Sequence, residues 1–354
     1  MRFIQLLLSP ASFLYGMVMM IRNFLFDIGI LRAERFEKPV ISVGNLSFGG
    51  TGKTPHIEYL IRLLQDRFFI SVLSRGYKRE SSGFILGSKK SNVRYVGDEP
   101  LQYIKKFEHI KVAVDENRAR GIHKLLTKFP ALDIVLLDDA FQHRRVKPGL
   151  SILLTNYHSM YTEDYVFPAG RLREFRFGAR RANIIIVTKT PKIFSPITRR
   201  RILEDIRPLS HQSVFFSYLK YDDPIPVFDN EYQVFPAKAS YILLFSGIAD
   251  DYFMREQLER ICTELNVIRF ADHHQYTLAD LEMIQQRFLN LPTQKKVIIT
   301  TEKDVMRLKT PELSNFLKNL PLFYLPVEVE LHGMDKQYFD KEIINYVKKN
   351  QRNH

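Results

Sequence analysis

The 354 residues carry 52 Lys and Arg against 39 Asp and Glu. The resulting formal charge of +13 favours an anionic partner, whether nucleic acid, an acidic membrane surface or a phosphorylated ligand. The length suits two domains with real cores, and 45% hydrophobic with 26% charged residues excludes disordered, collagen-like and coiled-coil classes. One cysteine, Cys262, excludes an intrachain disulfide, no Cys/His cluster has zinc spacing, and the cytosol or a face open to it is the natural compartment.

No charged residue lies between Phe3 and Ile21. A secretory signal does not fit: Arg2 alone stands for the basic region, and the apolar run passes Arg22 to Leu31 without a small-residue cleavage site. Ser9-Pro10 predicts a helix start, a cap followed by proline at the first helical position. From there Ser12, Tyr15, Gly16, Arg22, Asn23 and Asp27 fall on one stripe, and Phe13, Leu14, Met17, Val18, Ile21, Phe24 and Leu25 occupy the rest. Residues 1–31 therefore read as an amphipathic, membrane-associated helix lying in the interface, with core packing or spanning as the alternatives.

Pro39–Val43 is a short β-branched run, followed by a glycine-rich turn and a helical pattern from Lys53 to Gln65. Strand-like Phe69–Leu73, a polar stretch at 78–92, a turn at Gly97–Pro100 and a helical segment at 117–129 come next. Ala131–Leu137 is an apolar run ending in two aspartates, and 151–155 and 183–188 are further buried-type strands. Apolar strands alternating with helices predict an α/β protein whose parallel sheet is covered on both faces. Residues 189–236 are proline-punctuated, with a short helix and an exposed ribbon-like stretch. After them a second α/β segment opens at Tyr241–Phe245, with a helix at 250–265, a strand at 266–270, a helix at 277–289 and a strand at 296–301. The expected division is 32–210, a linker or ribbon at 211–236, a second, smaller domain at 237–347 and a basic tail at 348–354.

Ser47-Phe-Gly-Gly-Thr-Gly-Lys-Thr54 is the strongest signal. It follows the phosphate-loop pattern G-x-x-x-x-G-K-[ST] with Ser47 in place of the first glycine, and it lies between a strand and a helix. Such a loop wraps backbone N–H groups around phosphate, Lys53 bridges the terminal phosphates, and the Thr54 hydroxyl ligates Mg²⁺. The apolar strand ending in Asp138-Asp139 is the expected partner of that ion. A nucleoside triphosphate with Mg²⁺ is the ligand these two pieces predict. Gly97-Asp98-Glu99-Pro100 is an acidic turn in which Asp98 could accept a hydroxyl proton, although a turn residue needs no such role. A stretch from Ala169 holds Arg171, Arg173, Arg176, Arg180 and Arg181 with aromatic residues between them, suited to phosphate or anionic lipid.

Together these stretches resemble the tetraacyldisaccharide 4′-kinase family. The matching residues are Val43-Gly-Asn45, Gly49–Pro55, Leu73-Ser-Arg-Gly-Tyr77, Gly97–Pro100, Asp138-Asp139 with Gln142-His143, Gly170–Glu174, Ser246–Ala249, Asp272-His273 and Thr301-Glu-Lys-Asp304. The resemblance implies a P-loop NTPase-like, mostly parallel sheet covered by helices, a second, smaller α/β domain and an N-terminal membrane-associated helix on the cytoplasmic face of the bacterial inner membrane. It implies ATP and Mg²⁺ as cofactors and phosphorylation of the 4′-hydroxyl of an acylated disaccharide 1-phosphate, a lipid A precursor. Phe48, Gly49, Gly50, Thr51, Gly52, Lys53, Thr54 and Pro55 would bind the nucleotide, with Thr54, Asp138 and Asp139 on Mg²⁺. Asp98 with His273 and Lys53 would be catalytic, and Glu99, Arg118, Gln142, Arg171 and Asn183 would contact phosphates or substrate. His273 is chosen over adjacent His274 by the family spacing alone. Ala140, Phe175 and Val146–Gly149 depart from the family pattern.

Two other classes share parts of this signature. A membrane-recruited GTPase switch needs an Asn-Lys-x-Asp motif, to which Thr188-Lys189-Thr190 is the nearest approach and lacks the aspartate. A nucleic-acid-dependent ATPase would use the positive charge, but no recognition helix or aromatic-basic signature accompanies it. Neither nucleic acid nor a protein partner is expected.

Overall fold

The computed structural model describes residues 2–236 and 239–351. Among the described residues, fourteen strands form two sheets. The chain order is β1 Val40–Asn45, β2 Ile70–Ser74, β3 Ile85–Leu86, β4 Lys111–Val114, β5 Ile134–Asp138, β6 Leu150–Asn156 and β7 Ile184–Thr188. It continues with β8 Ser213–Tyr221, β9 Ile225–Pro226, β10 Ala239–Ser246, β11 Cys262–Arg269, β12 Lys296–Thr301, β13 Leu322–Leu325 and β14 Val327–Leu331. The large sheet runs β14-β8-β7-β6-β1-β5-β2-β4-β3 and the small one β11-β10-β12-β13-β9. Antiparallel pairing is confined to the β14–β8, β3–β4 and β13–β9 contacts at the sheet edges.

The central strands β1, β2, β5 and β7 are buried along their whole length. That is what helices on both faces of a parallel sheet require, and it is why these strands read as apolar runs rather than alternations. Strand order reverses at β1 in the large sheet and between β10 and β12 in the small one. Such reversals open a crevice at the carboxyl ends of strands, and ligand loops gather there.

Three expectations are revised. The first helix runs unbroken from Arg2 to Asp27 with Pro10 inside it. Proline removes the N–H that would bond to Leu6 O, and the Ser9 hydroxyl donates to that same carbonyl at 2.7 Å. The helix expected over 250–265 ends at Glu259, and the chain extends again as β11, pairing with β10 from Cys262 to Arg269; cross-strand pairing overrides a weak helical preference there. The ribbon-like stretch contains β8, whose Phe216 and Ser217 are fully buried between β7 and β14. After β13 the chain returns to the large sheet through β14 and the helix Met334–Gln351, so the basic tail begins as helix; residues 352–354 lie outside the described residues.

The N-terminal helix turns its polar stripe inward. Ser12 is buried and accepts from the Ala169 amide at 2.8 Å, Gly16 lies against the Phe175 ring, and Asn23 donates to Glu174 at 2.6 Å. Arg144 reaches back to Asp27 at 2.6 Å. Leu6, Leu7, Phe13, Leu14, Val18, Ile21 and Phe24 are exposed. Core packing of the apolar face is thereby overturned. Among the described residues, no helix is long and apolar enough to cross a membrane.

Candidate active site

The loop after β1 leads into the helix Lys53–Leu64 through Gly52, whose φ of 82° is left-handed and whose turn no side chain caps. The first-turn N–H groups are therefore free for an anion. Gly49, at φ 108°, has nothing within 4 Å of where a Cβ would stand, so the loop borders open space. Its frame is fixed from below: Asn45 donates to Thr51 Oγ1 at 3.0 Å, and Thr188 Oγ1 donates to Thr51 O at 3.0 Å. Buried His56 donates from Nδ1 to Gly52 O at 2.7 Å and accepts from the Ser217 hydroxyl at 3.1 Å. Burial pushes this imidazole down to about 4.

Lys53 Nζ lies 3.7 Å from Asp139, which also accepts from Arg173 at 3.2 Å. Burial opposes ionisation of Asp139, but Lys53 and Arg173 hold it below the usual carboxylate range. Asp138, at the buried end of β5, is pushed up by burial and by the Asp139 charge. The Tyr103 hydroxyl contacts Thr54 and donates to Asp138 Oδ2 at 3.4 Å. Thr54, Asp138 and Asp139 thus offer an all-oxygen donor set with one carboxylate short of compensating charge, which fits Mg²⁺.

Asp98 begins the helix Asp98–Lys106, and the same helix carries Tyr103 toward the metal-type donors. Facing it are the loop after β10, the turn after β11 and the helix Glu302–Leu308 after β12, all at the carboxyl edge of the small sheet. His273 Nδ1 lies 2.8 Å from Asp98 Oδ2, and Arg307 Nε donates to that oxygen at 3.1 Å with its Nη2 also in contact. Asp304 accepts from Arg307 and from the Gly247 amide, while Gly247 O accepts from Arg307 and from the His273 amide. Burial opposes ionisation of Asp98, but hydrogen bonds from Glu99 and His273 and the charges of Lys303 and Arg307 hold it well below the usual range. Burial and the Asp98 charge push Glu99 up to about 8 against the pull of Lys303.

Lys53, Thr54, Asp138, Asp139, Arg118 and Gln142 are brought together. Arg118 donates to Asp138 O at 3.1 Å, and Gln142 accepts from Arg173 at 3.2 Å while donating to Asn45 O at 2.9 Å. The side chains of two predicted contact residues lie apart from the phosphate loop. The Arg171 side chain is exposed on Asp164 at 3.3 Å, and only its carbonyl touches the loop, through Phe48 N. Asn183 sits before the amino end of β7, the far edge of the sheet, where it accepts from Ser151 N. His274 pairs with Asp280 rather than Asp98. Sequence reasoning missed Tyr103, Lys303 and Arg307 as members, and offered Arg173 only as one of five arginines suited to phosphate or anionic lipid. Lys303 and Arg307 stand at i and i+4 behind the Thr301 cap, one helical face bearing two cations, and that spacing was the available signal.

A phosphate loop at the switch strand of a mostly parallel sheet, with an aspartate pair on the adjacent strand, defines a P-loop nucleotide-binding protein of kinase type. The sequence profile of the tetraacyldisaccharide-1-P 4′-kinase family matches residues 4–348, and the chain belongs to that family. A protein named tetraacyldisaccharide 4′-kinase from Bacteroides thetaiotaomicron is 46% identical over 98% of this chain and 94% of its own length. One of the same name from Flavobacterium psychrophilum is 46% identical over the full length of both chains. The crystal structure of LpxK from Aquifex aeolicus in complex with ATP is similar with a TM-score of 0.72 and 29% identity, covering 97% of this chain and 99% of that one.

Proposed function

We propose that this chain transfers the terminal phosphoryl group of ATP to the 4′-hydroxyl of a tetraacyldisaccharide 1-phosphate. One observation carries the reading: two half-sites face each other across the carboxyl edges of the two sheets. Lys53 and Asp139 lie 3.7 Å apart in one, and Asp98 and His273, from different sheets, lie 2.8 Å apart in the other. The uncapped turn at Gly52 and the backbone of residues 48–55 receive the triphosphate, and Lys53 draws its terminal oxygens into line. Thr54, Asp138 and Asp139 would hold Mg²⁺, which when bound neutralises charge on the transferring group.

Asp98 accepts the acceptor hydroxyl as a hydrogen bond and takes its proton as the new P–O bond forms. A carboxylate of such low basicity suffices because a loose phosphoryl transition state leaves the nucleophile's proton until late. His273 orients Asp98, and Arg118 and Gln142 brace the Asp138–Asp139 turn. The nucleotide half-site falls within 32–210 and the small-sheet side of the other within 239–325, while β8 of the expected 211–236 linker and residues 327–351 complete the large sheet.

The same reading assigns the N-terminal helix to an anionic membrane surface, on the cytoplasmic face of the inner membrane. Its outward row of Leu7, Phe13, Leu14, Val18, Ile21 and Phe24 is supported from beneath by polar contacts to the body. Incubation with ATP, Mg²⁺ and the disaccharide 1-phosphate lipid, read by mass, should give one added phosphate. Unchanged lipid alongside ATP hydrolysis would reject the acceptor.

A further inference from the structure

Among the described residues, Asp98, Glu99 and His273 are the one group of three His, Cys, Asp or Glu side chains whose ligand atoms lie close enough together to hold a metal ion. Its cation is already part of the chain. Lys303 Nζ stands 2.6 Å from Glu99 Oε1, 3.2 Å from His273 Nε2 and 3.8 Å from Asp98 Oδ2, with its side chain only 20% exposed. An ammonium donates three hydrogen bonds and accepts none, and an ionised carboxylate only accepts. His273 Nε2, facing Lys303, is therefore the accepting nitrogen, and Nδ1, which meets Asp98 at 2.8 Å and the Arg307 Nη2 only at 3.4 Å, carries the proton for the shorter contact.

We infer that Lys303 is a positioning residue for the Asp98–His273 pair, its ammonium filling the space a metal would take and fixing the imidazole as the Nδ1–H tautomer. This rests on the kinase reading for its consequence in catalysis but not for the tautomer itself. The Glu302–Leu308 helix is locked for the task. Thr301 caps it through the Asp304 amide at 3.0 Å, and the Asp304 carboxylate binds the Gly247 amide at 3.0 Å. Gly247 O in turn holds the His273 amide at 3.1 Å. His273, whose φ of 58° is left-handed, and Lys303 thus keep a fixed separation, and both meet Asp98 and Glu99 only when the two sheets face each other. The half-site is incomplete without the second sheet.

The charged groups facing Asp98 are Glu99 on its own helix, Asp272 and His273 on the turn after β11, and Lys303, Asp304 and Arg307 on the facing helix. Asp138 at the end of β5 is the next negative charge. Among the described residues, removing Lys303 leaves Arg307 as the only Lys or Arg touching this group. Asp98 then holds its proton to higher pH, since an opposite charge at this range moves a carboxylate by about one to three units.

The test compares wild type, Lys303→Met and Lys303→Arg. Lys303→Met should bind a fluorescent ATP analogue as wild type does, lose about 100-fold in kcat, and move the acid limb of the kcat profile upward by about one unit. Lys303→Arg should keep the wild-type limb. The ¹⁵N shifts of the His273 ring should report the Nδ1–H form in wild type and a mixture in Lys303→Met, whether or not any acceptor is phosphorylated. An unchanged limb, including a uniform loss at all pH values, or unchanged ring shifts in Lys303→Met overturns the inference. A wild type that shows the Nδ1–H form yet phosphorylates no glycolipid overturns the kinase reading alone.

Discussion

Acidification should destabilise the protein through His56. The side chain is 4% exposed, in the first turns of the helix that follows the phosphate loop, and both ring nitrogens are satisfied in the neutral form. Burial lowers its pKa from 6.5 to about 4, so between those values the unfolded chain binds more protons than the folded one. This contribution is intact above about pH 6.5 and is lost progressively as the pH falls toward about 4. Between about pH 7.5 and pH 5 the loss from this one group is about 2 kcal/mol, taking the ordinary imidazole as the unfolded reference. Half-buried His143, also lowered to about 4 by burial and by Arg118, acts in the same direction. Urea denaturation of wild type and His56→Gln at the two pH values isolates the effect, because glutamine can both donate to Gly52 O and accept from Ser217 without gaining charge. The variant should lose about 2 kcal/mol less than wild type over the interval. Equal losses in the two proteins would refute the reasoning.

Lys106 lies 2.8 Å from Glu58 and 2.9 Å from Glu302, joining the loop helix to the facing helix of the small sheet; Lys106→Met should destabilise by about 3–5 kcal/mol in urea, with Glu58→Gln recovering part. A wild-type midpoint for Lys106→Met would show that the two carboxylates need no cation. Gly52→Ala places a side chain at φ 82° and should cost about 1–2 kcal/mol in the loop, seen as roughly tenfold weaker binding of a fluorescent ATP analogue. Leu14→Asp with Phe24→Asp charges the outward row of the first helix; sedimentation with anionic vesicles should drop while ATP binding holds. Undiminished sedimentation would move the membrane contact elsewhere.

Much of the nucleotide half was legible because it is local in sequence. A strand, a glycine turn and a helix start follow one another over residues 40–64, and Asp138-Asp139 ends its strand as an apolar run followed by acids must. The acceptor half was less legible. Asp98 and Arg307 are 209 residues apart, and no periodicity links them. Arg171 and Asn183, taken from the family resemblance, have side chains apart from the loop because a motif position does not fix where a side chain points. Arg171 turns to Asp164, and Asn183 is held at the amino end of β7 by Ser151.

The order of residues alone determined the phosphate loop, the parallel-sheet class and a helix with one polar and one apolar face. Those follow from short-range sterics and hydrophobic periodicity, which act between residues a few positions apart. Only the tertiary structure decided which face of that helix meets water, because Glu174, Ala169 and Gln142 had first to be assembled as its polar seat. It likewise decided that Asp98 shares its proton partner and its cations with the second sheet. Electrostatic coupling depends on distance in space, and that distance is set by how the two sheets pack.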